Sequence, residues 1–240
     1  MELLNLELKK IKNSSILYLS FLISALSVLI IISSIKKFEK NLAVKYMVLE
    51  VLNFSAISYL TMFLPLFCIY LVCCVTKIEN DNNGWKQLML LPVKKSTLYI
   101  TKYKVMILTL ATSVVSYIIS VLLGTSFISK EFYFTFELLV YGLKIFIFTL
   151  PIIILLFIVG RRFTSVIPVI TIGVGMNITN IFIVQSKFWI YAPWTYSMAS
   201  IGGTITKLEE IIAIVVSLVL SLFMFLLDFN IFKNEDIKEK

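Results

Sequence analysis

Six stretches of about twenty largely apolar residues, separated by short basic segments, constrain this chain more than any other feature of it. A bilayer's hydrocarbon core is roughly 30 Å thick, which about 20 residues cross at 1.5 Å each. The stretches are Ser15–Ile35, Phe54–Thr76, Val105–Phe127, Phe136–Val159, Thr164–Val184 and Glu210–Asp228. The fifth is the most dilute, because Gly173, Gly175, Asn177 and Asn180 interrupt it. The first reads as a span and not as a cleaved leader: it is too long for a leader's apolar region, and residues 32–37 offer no small-x-small cleavage site. Composition excludes a soluble fold. Apolar residues make up 59% and charged residues 15%, with a mean hydropathy of +0.96. A soluble domain carries roughly 45–50% and about 25%.

The net charge of +8 would suggest nucleic acid in a soluble protein, but these cations sit between apolar runs and follow the positive-inside rule. One side collects Lys9, Lys10, Lys12, the six lysines of residues 77–104, Arg161, Arg162, Lys233, Lys238 and Lys240. The other holds half as many: Lys36, Lys37, Lys40, Lys45, Lys130, Lys187 and Lys207. Both termini are therefore expected in the cytoplasm of a multi-pass protein of the cell membrane. Residues 1–14 read as an interfacial helix, with Leu4, Leu8 and Ile11 on one face and Glu2, Asn5, Lys9 and Lys12 opposite, its lysines toward anionic lipid. The bland alternative is a frayed end whose lysines only set topology.

Residues 77–104 form the one sizeable cytoplasmic loop. Asn82-Asn83-Gly84 marks a turn, and the apolar segment Trp85–Leu91 is too short to span. Pro92 stops it, and Ser96 is placed to cap a helix that continues through Tyr99, Lys102 and Tyr103 into the third span. A two-turn apolar helix rimmed by lysines must be buried against something: the membrane, or a groove on a partner.

The pattern Glu79-x5-Trp85-Lys86-x-Leu88-x3-Pro92-Val93-x5-Tyr99-x2-Lys102 resembles the inner-loop signature of ABC-2 transporter permeases. Gly84-Trp85-Lys86 and Leu91-Pro92-Val93 are similar to pieces found in permeases of lantibiotic-immunity and bacitracin-resistance exporters. The resemblance covers the whole chain in topology and about 25 residues in motif. It implies an all-α integral membrane protein of six transmembrane helices, with an N-terminal interfacial helix and a cytoplasmic coupling helix between spans two and three. It implies one domain, 1–240, whose residues 185–206 form an outer re-entrant segment rich in aromatics. It implies that Glu79, Trp85, Lys86, Leu88, Met89, Pro92 and Lys102 dock separate ATPase subunits, which carry the ATP and magnesium. The chain would have no cofactor or catalytic residue of its own, and no phosphate-binding Gly-rich loop is present. It would pair with a second permease, identical or related, among membrane lipids, and export an amphipathic antimicrobial peptide. The runner-up within the family is another cargo, such as a drug, a lipid or sodium.

Lys144 falls about 12 Å into the fourth span. It reads either as a snorkelling lysine directed toward Glu137 or, with Asn177 and Asn180, as part of a translocation or pairing face; the small, polar side of span five that carries both asparagines suits tight helix packing first and a cavity lining second. Pro65, Pro151 and Pro168 are expected to kink spans two, four and five. Cys68, Cys73 and Cys74 share one apolar stretch without a CxxC pair and read as small hydrophobes; no metal site is expected. A membrane enzyme would need a catalytic set that a chain without histidine does not offer. A secondary transporter would place carboxylates near the midplane, whereas Asp228 and Glu137 lie at span ends.

Overall fold

A computed structural model describes residue 4 and residues 6–9, 15–35, 44–80, 94–201 and 205–234 of the chain. The described residues are helical, without strands. Helix α1 is Ile16–Ile35. Val44–Ser58, a π-helical turn Tyr59–Phe63 and Leu64–Asn80 run on without a break and together make α2. Then come α3 (Lys95–Ser129), α4 (Phe136–Arg162), α5 (Ile167–Ile183), the short α6 (Tyr196–Ile201) and α7 (Lys207–Asn234). Among the described residues four helices are long and apolar enough to cross a membrane: Tyr46–Lys77 within α2, and α3, α4 and α7. Ile16–Ile32 and Ile167–Ile183 are shorter apolar helices.

Several helices outrun the apolar stretches that announce them. In α2 the helix begins at Val44, ten residues before Phe54, because Val48, Val51 and Leu52 are fully buried and anchor the extra turns despite Glu50 and Asn53. At its start α3 is also longer, and Ser96 lies inside its first turn; Lys94 is the N-cap, and its side chain makes no capping hydrogen bond. The sixth apolar stretch ends at Asp228, whereas α7 continues to Asn234. A capping box starts α7: the Thr206 backbone N–H donates to Glu209 at 2.7 Å and the Glu209 N–H to the Thr206 hydroxyl at 3.3 Å. Pro168 does not kink a helix. It sits in the first turn of α5, where a missing N–H costs nothing.

Helix α1 lies along α3, α7 along α4, and α2 packs against both α4 and α5. The centre of α1, α2 and α3 is joined by hydroxyls. Tyr59 and Tyr117 stack at 4.2 Å and 7°, the Tyr59 hydroxyl lies 2.9 Å from Ser113 Oγ, and that of Tyr117 donates to the Leu52 carbonyl at 3.1 Å. Ser24 on α1 donates to the Ser113 carbonyl at 3.3 Å. In a low-dielectric interior such polar groups must find partners within the protein, and these find them across helices. Glycines set the spacing at one crossing: a Cβ on Gly124 would stand 2.5 Å from Ile32 Cδ1. Large apolar side chains cover the outside, including Leu208, Ile211, Val215, Val219 and Leu222 along α7.

Candidate coupling site

Two buried charge clusters meet at the end of the bundle where α2 and α4 finish and α3 begins. In the first, Lys102 Nζ lies 2.8 Å from Glu79 Oε1 and 3.3 Å from Glu7 Oε2. Lys102 is 1% exposed and Glu79 3%. Glu79 comes from the last turn of α2 and Lys102 from the second turn of α3, so the pair joins the end of one helix to the start of the next. Glu7 comes from the N-terminal segment, where Leu4 and Leu8 pack on the core and Leu6 and Lys9 are exposed. Position 7 falls in the 4–8–11 stripe at helical spacing.

The second cluster centres on Asp228 of α7, 1% exposed. Arg161, at the end of α4, grips it bidentately: Nε donates to Oδ2 at 3.2 Å and Nη2 to Oδ1 at 2.6 Å. The Tyr99 hydroxyl donates to Oδ2 at 2.9 Å, and Arg162 stands 3.9 Å from Oδ1. Phe157, Phe225, Phe229 and Phe232 surround the Tyr99 ring with centroids 5.4–5.7 Å away, and the Arg161 guanidinium lies 5.2 Å from the Phe232 ring. This aromatic collar excludes water and so strengthens each charge–charge contact it surrounds.

The clusters are linked. Tyr99 and Lys102 stand three residues apart on one face of α3. Asn80, next to Glu79, donates to the Gly160 carbonyl at 3.2 Å and the Phe163 carbonyl at 2.8 Å, on either side of Arg161 and Arg162. Glu7, Glu79, Lys102, Arg161 and Asp228 each have an opposite charge in contact, and these contacts hold the helices in register. The contacts thus tie α2 to α3 through Glu79 and Lys102, and α3, α4 and α7 to one another through Asp228.

Of the residues expected to dock a partner, the structure brings together Glu79 and Lys102; Trp85, Lys86, Leu88, Met89 and Pro92 lie outside the described residues. Lys144 sits apart, about 25 Å along α4 from Arg161. Its Nζ is 2.7 Å from Glu210 Oε1 on α7, so its partner is Glu210 and not Glu137. Glu210 also accepts from the Ser200 hydroxyl. Asn177 and Asn180 lie on α5, where both border a small cavity against α2 and α4. Sequence reasoning missed Glu7, Arg161 and Asp228. The arginine was absorbed into the topology count; the two carboxylates carried a signal, each being an acid placed in an apolar helical stripe.

A family model described as ABC-2 family transporter protein matches residues 3–184, more than half of the chain. The chain belongs to this family: it is a multi-pass membrane protein and a membrane subunit of an ABC transporter, the kind that works with ABC ATPase subunits. No curated protein and no solved structure matches it.

Proposed function

We propose that this chain is a six-span permease that converts movement of ATPase subunits into movement of its helices, with residues 81–93 as the coupling element. The Lys102–Glu79 clamp carries the reading. A mobile connection would absorb a push from outside, whereas a buried ion pair at its base passes the push to α2 and α3. The clamp joins the aromatic-collared Arg161–Asp228 pair, so the push reaches four helices and, through Glu7, the N-terminal segment. On this reading both termini and the clamp are cytoplasmic, α1 and α5 cross the membrane despite their shorter lengths, and two permeases form the transport path.

For cargo, we favour an amphipathic antimicrobial peptide taken from the membrane. The support is the Gly84-Trp85-Lys86 and Leu91-Pro92-Val93 pieces and their resemblance to immunity and resistance permeases. The test has two arms. The chain, purified from its native membrane, should carry an ATPase subunit, and Trp85→Ala with Leu88→Ala should release that subunit and abolish transport. Retained binding and activity would overturn the coupling reading. Deletion should sensitise cells to a membrane-active peptide; unchanged susceptibility across a panel of lantibiotics and bacitracin would point to drug, lipid or ion cargo.

A further inference from the structure

The hydrogen-bond ladder of α2 shifts to five-residue spacing where the helix borders the polar residues of α5. In the π-helical turn Tyr59–Phe63 the Leu64 N–H reaches back five residues to the Tyr59 carbonyl. One residue further in the same register, the donor to the Leu60 carbonyl would be residue 65, and Pro65 has no N–H. Leu60 and Pro65 border a cavity of about 30 Å³ that Asn177, Asn180 and Trp194 also line. Asn177 Oδ1, Asn180 Oδ1 and Trp194 Nε1 are buried and have no hydrogen-bond partner among the described residues. Asn180 is 3% exposed.

Leaving one such group unsatisfied costs about 2–7 kcal/mol in an apolar medium. Three at one cavity are not a tolerable dry arrangement in a membrane protein. A cavity holds a water molecule once it offers about 10–15 Å³ and two to four polar partners. This one offers about 30 Å³, with amide oxygens that accept and an indole N–H that donates. Water matches both, because it donates and accepts at once.

We infer that the cavity between α2, α4, α5 and Trp194 binds on the order of two internal water molecules, shared by Asn177, Asn180, the Trp194 indole and the open turn of α2. Water inserted at a broken turn is a recognised source of helix bending. The site lies at the π-helical turn of α2, between the part that starts at Val44 and the part that carries Glu79.

Radiolytic hydroxyl-radical footprinting of the full chain in lipid nanodiscs tests this, because a trapped water generates the radical in place. Cys68 lines the cavity and is fully buried; Tyr59 is equally buried but does not line it. After correction for intrinsic reactivity, Cys68 should oxidise several-fold faster than Tyr59. In Asn177→Leu with Asn180→Leu, or in Trp194→Phe, that excess should shrink several-fold. The wild-type comparison alone decides whether the cavity is wet: Cys68 oxidising no faster than Tyr59 would overturn the proposal. An excess at Cys68 that survives in folded variants would show that these side chains do not hold the water, and would overturn it too.

Discussion

Lys102 and Glu79 are 23 positions apart in the chain and 2.8 Å apart in space, both out of solvent. Removing one partner of a buried pair costs far more than the pair contributes over an apolar substitute, because the survivor stays buried with its charge. Lys102→Met should therefore lower stability by about 3–5 kcal/mol, since Glu79 and Glu7 both lose its charge. Adding Glu79→Gln should recover much of the loss. Thermal unfolding in detergent checks the order. Transport by the recovered double variant checks whether the clamp also transmits movement: the fold should return and coupled transport should not.

Tyr99 and Arg161 share Asp228, but not equally. Tyr99→Phe keeps the ring within its collar and removes one hydrogen bond to a charged group, about 1.5–3 kcal/mol. Asp228→Asn takes the charge from a bidentate arginine and should cost about 3–5 kcal/mol. Unfolding midpoints should follow wild type, then Tyr99→Phe, then Asp228→Asn. If the two variants were equal, the hydroxyl and not the guanidinium would be the main partner of Asp228.

Apolar run length made the helices legible from the sequence, because the hydrocarbon core imposes it on each crossing stretch independently of its neighbours. Helix ends were less legible. At Val44–Asn53 and Phe229–Asn234 the chain stays helical beyond the apolar run because buried Val48, Val51, Leu52 and Phe232 hold it there, and that packing is tertiary. Glu79 and Lys102 stood out by motif, but their contact depends on how α2 and α3 fold back. Asp228 needed α4 beside α7 before its partner could be named, and Lys144 needed α7 beside α4 before Glu210 could replace Glu137.

Lys144 and Glu210 should couple weakly by comparison. Their side chains are 25% and 20% exposed, and Glu210 has the Ser200 hydroxyl as well. A double-mutant cycle with Lys144→Met and Glu210→Gln should give a coupling energy of about 0.2–1 kcal/mol, the range of partly exposed pairs. The same cycle on Lys102 and Glu79 should give several times more. Comparable values would mean that lipid shields Lys144 and Glu210 as well as the protein shields Lys102 and Glu79.

Gly173 and Gly175 look alike in the sequence as small residues of one helix, and the structure separates them. A Cβ on Gly173 would stand 2.4 Å from Ile69 Cγ1 and 2.7 Å from Ile69 Cδ1, well inside the roughly 3.5–4.0 Å of a normal carbon contact. Gly173→Ala should force α5 away from α2 and cost about 1–3 kcal/mol. Around Gly175 nothing lies within 4 Å, so Gly175→Ala should raise stability by up to about 1 kcal/mol through helix propensity alone. Unfolding of the isolated subunit should show these opposite signs. Gly175→Leu extends the comparison to the assembled transporter. If lipid covers this face, the bulky side chain is accepted and assembly is unchanged; if a second permease covers it, the variant should dissociate at concentrations where the wild type stays paired.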